Sequence, residues 1–355
     1  MIIDGSFGEG GGQILRTALS LSLLTGKSFR LIKLRANREK PGLRAQHLAA
    51  VRAALTISGS QAKGAELGSQ ELIFDPGLAK PGHYQIEIGT AGSTSLVFQT
   101  LLPALLNLER ESHLEITGGT HNPKSPCFDF LQSCFIPLLN LIGIEVESEI
   151  FRHGFYPKGG GRVKFKIHPW RNKTALDLIE PVRWSGPKAD ILLAGLPRHI
   201  AEREREELMG RLNIVSDRVE LKFLPPEQGP GNVILLKYLS PVRAEIFAGY
   251  GEKGKAAERV AQEVAREARN FSRSKAQLDP LLADQILLYL SLSSGAFTTN
   301  FLSSHFHTNL QILKLFLNFD SEIKSPAPDL HLVQFRNCQT GLNLLTSRLG
   351  GSNEG

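Results

Sequence analysis

The chain has 355 residues, of which 41% are hydrophobic and 21% charged, which is enough for two domains, or one large domain with an insert, around a sizeable core. The formal net charge of +6 mildly favours a polyanionic partner, because lysine and arginine neutralise phosphates. Three cysteines without a CxxC pair argue against a disulfide framework. The sequence has neither a signal peptide nor an apolar run of about 18 residues, so we expect a cytoplasmic protein that does not enter a membrane.

Short strands and helices alternate through the first half of the chain, around two loops rich in glycine. Apolar residues recur with helical spacing after the first loop, and Gly26 is a typical helix stop. Pro41 suits the first turn of a second helix, whereas Pro103 is expected to break or kink a third. The elements predicted here are strands at 2–3, 29–34, 71–74, 84–88, 113–117, 145–150 and 162–167 and helices at 13–25, 41–58, 93–107 and 128–142.

The composition changes near residue 181, where charged helical segments begin. The elements predicted from there are strands at 189–196, 219–223, 233–238, 243–250, 297–299 and 331–335 and helices at 199–212, 256–269, 279–289 and 308–317. We interpret residues 181–276 as a smaller inserted α/β domain that lies between the second and third units. The rest is predicted to be an α+β domain of three repeated βα units, formed by 1–180 and 277–345 and followed by a flexible tail at 346–355.

The first candidate site is the glycine-rich loop at residues 8–12 and the helix after it. Free N–H groups at a helix start, next to a glycine loop, suit a phosphate. Gln13 and Arg16 share one helix face and are candidate phosphate ligands. Glu9 is a candidate ligand for a divalent cation, because Mg²⁺ is often held by one carboxylate plus phosphates. The alternative is a plain strand-to-helix turn in which Glu9 favours the helix dipole.

A second candidate site is basic. Arg35, Arg38, Lys40 and Arg44 place four cations within ten residues, after an apolar strand and before a helix that carries Gln46. Arginine grips phosphate in a bidentate way. The alternative is a solvated charged loop.

A third candidate site contains His305 and His307. In a strand the two histidines would share a face, which would suit a metal pair, although no third ligand is evident. At a junction between a loop and a helix, His305 could instead be a nucleophile. The alternative is a structural or surface histidine.

Polar residues in apolar helices form the last group. Gln99 lies in an apolar helix, where a buried amide needs a partner. Asp284 and Gln285 stand near the start of the helix of the last unit, where an N-cap role is the alternative explanation.

These stretches together resemble one family, the RNA 3′-terminal phosphate cyclases. The resemblance runs in order from residue 1 to about 317, and several ordered blocks are far more specific than any single one. The blocks that carry it are residues 8–16, 35–38, 40–43, 46–47, 65–70, 89–93, 118–120, 153–161, 196–204 and 228–232.

The resemblance implies three repeats similar to the C-terminal domain of translation initiation factor three, plus an inserted α/β domain. It also implies an ATP-dependent enzyme that uses Mg²⁺ or Mn²⁺ and converts an RNA 3′-phosphate to a 2′,3′-cyclic phosphate. The implied intermediates are a histidine–AMP phosphoramidate and an RNA-ppA end.

By position, the resemblance makes His305, not His307, the nucleophile and Glu9 the metal ligand. It places Gln13 and Arg16 at the phosphate site. The residues implied to hold the RNA 3′-phosphate or the triphosphate are Arg35, Arg38 and Gln46. The residues implied to surround the adenosine are Gln99, Pro126, Leu281, Leu282, Ala283, Asp284 and Gln285. Leu281 departs from the relatives, which carry Tyr or His there, so it offers adenine no π face.

Three other functions compete with this interpretation. A non-catalytic cyclase-like protein of ribosome assembly would lack the histidine and some of the arginines that are present here. An enolpyruvyl-transferase-like enzyme would share the fold but would not explain the blocks. A plain nucleic-acid-binding module would not need His305. The sequence leaves open the physiological RNA, activity on DNA or 5′-phosphate ends, and the oligomeric state, with a homodimer as one alternative.

Overall fold

The structure, a computed structural model, describes residues 1–8 and 10–338. Glu9 and the predicted tail at 346–355 lie outside the described residues. The helices are α1 (Gly12–Thr25), α2 (Ala45–Ser58), α3 (Thr94–Leu106), α4 (Phe128–Phe130), α5 (Ile136–Asn140), α6 (His199–Leu212), α7 (Ala257–Arg273), α8 (Pro280–Ser293) and α9 (Ser304–Phe316). A π-helical turn, Leu131–Phe135, joins α4 to α5.

Strands alternate with these helices and are short. They are β1 (Ile2–Asp4), β2 (Phe29–Ile32), β3 (Gln61–Lys63), β4 (Leu72–Asp75), β5 (His83–Glu87), β6 (Ser112–Gly118), β7 (Val146–Arg152), β8 (Gly161–Ile167), β9 (Leu176–Leu178), β10 (Lys188–Ala194), β11 (Val219–Leu224), β12 (Gly231–Leu239), β13 (Ala244–Tyr250), β14 (Gly295–Thr299), β15 (Asp320–Ala327) and β16 (Leu330–Arg336).

Three of the sheets in the described chain share one topology. Their strand orders are β1-β2-β4-β3, β5-β6-β8-β7 and β9-β14-β16-β15. In each, the first two strands pair in parallel and the remaining pairs are antiparallel. In each, one helix connects the first strand to the second and another helical segment connects the second to the third. The prediction of an α+β fold with three repeated βα units is therefore confirmed.

The fourth sheet has the different order β11-β10-β12-β13. It belongs to the insert, and α6 and α7 cover one of its faces. Alternating residues of β12 serve two cores: Val233 and Leu235 join the main core, whereas Ile234 and Leu236 pack beneath the helices of the insert. The insert follows β9 and precedes α8, so it interrupts the third repeat. The sequence interpretation, which placed it between the second and third repeats, was wrong on this point because β9 has only three residues and was missed.

Several predicted helices differ from the observed ones, and the helix predicted at 308–317 begins four residues earlier, at Ser304. The second helix begins at Ala45, not at Pro41, because the chain from Pro41 to Arg44 forms a turn. There Gly42 has a φ of +78°, and its N–H donates to the carbonyl oxygen of Leu34. Pro103 does not break α3, which continues through it to Leu106.

The repeats share one core. Helix α1 contacts α2, α3 and α9, and its apolar residues, among them Ile14, Leu15 and Ala18, are fully buried. Because α1 touches helices of all three repeats, it holds together the elements that carry the candidate site. Within the described ranges, no helix combines the length and apolar character needed to cross a membrane.

Candidate active site

A cleft of about 690 Å³ lies between the insert and the helices of the three repeats. It is built by α1, α3, β13, α7, α8 and α9, together with the loops before α4 and α9. Eight of the predicted site residues line it: Gln13, Arg16, Gln99, Pro126, Leu281, Asp284, Gln285 and His305. The fold therefore gathers residues that are up to 292 positions apart in sequence.

His305 is the second residue of α9. The Ser303 side chain caps this helix, accepting the N–H of Phe306 at 3.0 Å. The alternative in which His305 and His307 share a strand face does not apply, because both lie in a helix, where residues two apart point in nearly opposite directions. His305 lines the cleft and His307 does not. His305 thus stands at the positive end of a helix dipole, where developing negative charge is favoured.

Helix α9 is fixed by one buried amide. The side chain of Asn309 accepts a hydrogen bond from Oγ1 of Thr17 at 2.9 Å and donates to the carbonyl oxygen of Asp284 at 2.8 Å. These bonds tie α9 to α1 and α8 directly below His305. The position of the histidine therefore depends on contacts between the first and third repeats.

The glycine-rich loop lies between α9 and the basic loop, the segment 35–44. Gly8 and Gly10 have positive φ values of 57° and 55°, which favour glycine. The backbone of Gly8 touches the side chain of Thr308, and Gly10 faces Asn37. The Asn37 amide donates to the carbonyl oxygen of Ser6 at 3.0 Å, so it joins the two loops.

A cationic cluster surrounds the start of α1. His47 and Arg16 approach so closely that a Cβ on Gly12 would lie 2.2 Å from Nε2 of His47 and 3.0 Å from a guanidinium nitrogen of Arg16. Burial, together with Arg16, Arg35 and Arg44, lowers the pKa of His47 to about 3. His47 is therefore neutral at physiological pH.

The tautomer of His47 follows from its hydrogen bond. Its Nδ1 accepts the main-chain N–H of Arg44 at 3.1 Å, so the ring proton is on Nε2. That N–H points toward the start of α1, where Gly11 provides no side-chain cap. Such a donor, beside a helix N-terminus and several arginines, suits an anion.

The other residues predicted to hold phosphate, Arg35, Arg38 and Gln46, do not line the cleft. The Arg35 guanidinium donates to the carbonyl oxygens of Lys40 and Gly42 at 2.8 and 3.1 Å, so it holds its own loop in shape. Arg38 lies next to Gly11, and Gln46 packs against Gly92 of the second repeat.

Of the residues predicted to surround the adenosine, some line the cleft and others are buried behind it. Gln99 donates a hydrogen bond to Gln285, which supplies the partner that a polar residue in an apolar helix needs. Leu281 is 52% exposed at the mouth of the cleft, whereas Leu282 and Ala283 are fully buried in α8 and do not line it.

Asp284 does not cap α8. Asp279 does so, because its Oδ1 accepts the N–H of Leu282 at 2.7 Å. Asp284 lies one turn further on and faces Arg16. Burial lowers the pKa of Arg16 to about 10, and the Asp284 carboxylate opposes this shift, so Arg16 stays protonated at neutral pH.

The sequence interpretation missed several lining residues. Lys124 contributes a cation from the loop before α4, and Phe301, 59% exposed, contributes a ring from the loop before α9. The insert contributes Phe247, Tyr250 and Phe271. Phe301 stands four residues before His305, but it lies in the loop before the helix, so helical spacing could not have revealed it. The insert residues carry no sequence signal, since only the tertiary fold brings them to the cleft.

Comparisons with known proteins point to one family. The family model described as RNA 3′-terminal phosphate cyclase matches residues 7–323. A protein of Ectopseudomonas mendocina with that name is 45% identical over 319 residues, which cover 90% of this chain and 93% of the relative. Its namesake from Koribacter versatilis is 44% identical over 324 residues, 91% of each chain. Another, from Pseudomonas fluorescens, is 45% identical over 316 residues, 89% of this chain and 92% of the relative.

Proposed function

Because the chain belongs to the RNA 3′-terminal phosphate cyclase family, we propose that it converts an RNA 3′-terminal phosphate to a 2′,3′-cyclic phosphate at the expense of ATP. The observation that carries the proposal is the position of His305, in the first turn of α9 and facing the cleft beside a cationic cluster. A nucleophile there can reach a bound phosphate, and the helix dipole and arginines stabilise the negative charge of the transition state.

The reaction proceeds in three transfers. An imidazole nitrogen of His305 attacks the α-phosphorus of ATP; a P–N bond forms, the P–O bond to the β-phosphate breaks, and pyrophosphate leaves. An oxygen of the RNA 3′-phosphate then attacks the same phosphorus, breaking the P–N bond and giving RNA-ppA. Finally the 2′-oxygen attacks the RNA phosphorus, its proton passes to solvent, and AMP leaves with the cyclic phosphate formed.

The cleft offers groups for each part of the substrates. Gln13, Arg16 and Lys124 bind the phosphates of ATP, while Arg38 and the Nε2–H of His47 hold the RNA 3′-phosphate near α1. The residues that surround the adenosine are Gln99, Pro126, Leu281, Asp284 and Gln285. Arg35 acts by fixing the basic loop, as its two hydrogen bonds to carbonyl oxygens support.

A divalent cation, Mg²⁺ or Mn²⁺, would neutralise the charge of the triphosphate when bound. Glu9 is its proposed ligand and lies outside the described residues. Its neighbours Gly8 and Gly10 border α9 and the basic loop, and a carboxylate oxygen is a ligand that Mg²⁺ prefers. The support for the cation is therefore the carboxylate chemistry of Glu9 and the negative charge of the triphosphate.

The test is transfer of label from α-³²P-ATP to the protein without RNA, followed by denaturation. The wild type should carry acid-labile label, and His305→Ala should carry none. His307→Ala is the matched control, because it changes the same helix but not the cleft, and it should retain label. A folded wild type without label would contradict the proposal and favour the non-catalytic ribosome-assembly alternative.

A further inference from the structure

The insert carries a second, shallow groove at the helices α6 and α7. Its lining contains five arginines, Arg211, Arg259, Arg266, Arg269 and Arg273. One carboxylate, Glu263, is also in the lining. The sequence interpretation assigned no chemistry to the insert, so the groove is not accounted for by the proposed catalytic site.

The spacing along α7 explains why the arginines line one groove. Arg259, Arg266 and Arg273 recur every seven residues and so share one side of the helix. Val260 and Val264 point the other way and are buried in the core of the insert. With a rise of 1.5 Å per residue, the arginine row is about 21 Å long, which is the length of several nucleotides.

The arginines of the groove differ in their partners. Arg211 pairs with Glu207 at 2.5 Å, and Arg259 pairs with Glu263 at 2.8 Å. Across the described ranges, Arg266, Arg269 and Arg273 form no salt bridge. The carboxylate of Glu267 interacts electrostatically with Arg266 without forming a salt bridge. The three neighbouring cations still repel one another, and a bound polyanion would relieve that repulsion.

The groove adjoins the cleft. Asn270 lines both of them, while Glu267 and Phe271, on the cleft side of α7, line only the cleft. Helix α7 therefore forms a wall of both the groove and the cleft. An extended ligand bound in the groove would pass the mouth of the cleft at Asn270.

We propose that this groove binds the phosphodiester backbone of the RNA upstream of its 3′ end. The inference rests on the proposed function, since it assumes that the chain acts on RNA. Arginine forks recognise phosphates in a bidentate way, and contacts to the backbone alone are independent of base sequence. The insert thus supplies affinity for long RNA, while the cleft reads only the terminal nucleotide and its phosphate.

The experiment compares two RNA substrates with the same 3′-phosphate end, a trinucleotide and an oligonucleotide of about twenty nucleotides. The variant Arg266→Glu/Arg269→Glu/Arg273→Glu should bind the longer RNA at least tenfold more weakly by fluorescence anisotropy. Its slope of log affinity against log salt should fall by about two, because each phosphate contact on a single strand contributes about 0.7. Its KM for the trinucleotide should be unchanged.

The matched control is Arg183→Glu/Lys188→Glu/Lys253→Glu, which makes the same charge change at exposed positions of the insert outside the groove. It should bind long RNA within about twofold of the wild type. Equal weakening by the two variants, or wild-type binding by the groove variant, would overturn the inference.

Labelling of the protein by ATP alone separates this inference from the proposed function. The groove variant should label like the wild type, because ATP does not enter the groove. Loss of labelling in the wild type would count against the proposed function, while the anisotropy measurement would still decide whether the groove binds RNA.

Discussion

Gly8 lies so close to Thr308 that a Cβ built on the glycine would stand 2.1 Å from the threonine Oγ1. Thr308 follows His305 by three residues, on the same helix. The glycine-rich loop and His305 therefore keep their relative position only while residue 8 lacks a side chain. A substitution of Gly8 therefore tests whether the position of the loop relative to His305 matters.

Gly8→Ala should reduce labelling from ATP by at least tenfold, because the added methyl group must displace either the loop or α9. Gly59→Ala is the control: Gly59 has a similar φ of +63° but no atom within 4 Å of its built Cβ. It should cost about 1 kcal/mol of stability and leave labelling intact. If both variants label like the wild type, the contact does not position His305.

Phe301→Ala should raise the KM for ATP by about tenfold. The ring is exposed in the cleft that also holds Leu281, and stacking of a base on an aromatic ring contributes about 1–3 kcal/mol. Leu281→Tyr should restore most of the affinity in the double variant. Phe151→Ala, which removes a partly exposed ring outside the cleft, should leave KM unchanged; a KM unaffected by Phe301→Ala would exclude the ring from nucleotide binding.

Thr17→Val should destabilise the protein by about 1–3 kcal/mol, because it leaves the buried Oδ1 of Asn309 without a donor. Urea unfolding measures this loss in the free energy of unfolding. Thr17→Ser keeps the hydroxyl and should recover most of it. If valine and serine variants unfold alike, the hydroxyl does not hold α9 in place.

Glu204 gives a prediction for pH. It is fully buried in α6, where it accepts a hydrogen bond from Asn232 at 2.9 Å, and burial raises its pKa from 4.5 to about 7. The folded protein thus binds one more proton than the unfolded chain between these values, so the contribution of Glu204 to stability is present below pH 4.5 and is lost as the pH rises to about 7.

Glu204→Gln should remove this dependence. Relative to the wild type, the variant should gain up to about 3 kcal/mol between pH 4.5 and pH 8, measured as the difference in urea midpoints across that range. Glu206→Gln, at an exposed position of the same helix, should follow the wild-type curve. A constant difference between Glu204→Gln and the wild type would show that Glu204 titrates at its ordinary pKa.

The sequence predicted the repeats better than their edges. Helical periodicity located α1 and α3, whose apolar residues face one core, and Gly26 marked the end of α1. The strands β3, β9 and β15 were missed, since β3 and β9 have only three residues each and β15 lies largely exposed. Their pairing depends on neighbouring strands that come from distant parts of the chain.

The candidate site was likewise predicted only in part. Residues in ordered blocks, such as Arg16 and His305, reached the cleft as expected. The neutral state of His47 could not be foreseen, because burial in the folded chain, together with Arg16 of α1 and with Arg35 and Arg44 of the basic loop, lowers its pKa. Nor could Phe247 of the insert, whose approach to the cleft depends on how the insert packs on the repeats.

The hydrogen bond between Thr17 and Asn309 spans 292 residues, and it joins a helix made early in synthesis to one made late. Helix α1 therefore leaves the ribosome long before its partner α9 exists, with apolar faces that only later repeats cover. Contacts of such separation slow folding and expose hydrophobic surface for longer. The arrangement that builds the cleft thus leaves apolar surface of the nascent chain uncovered until its last repeat has emerged.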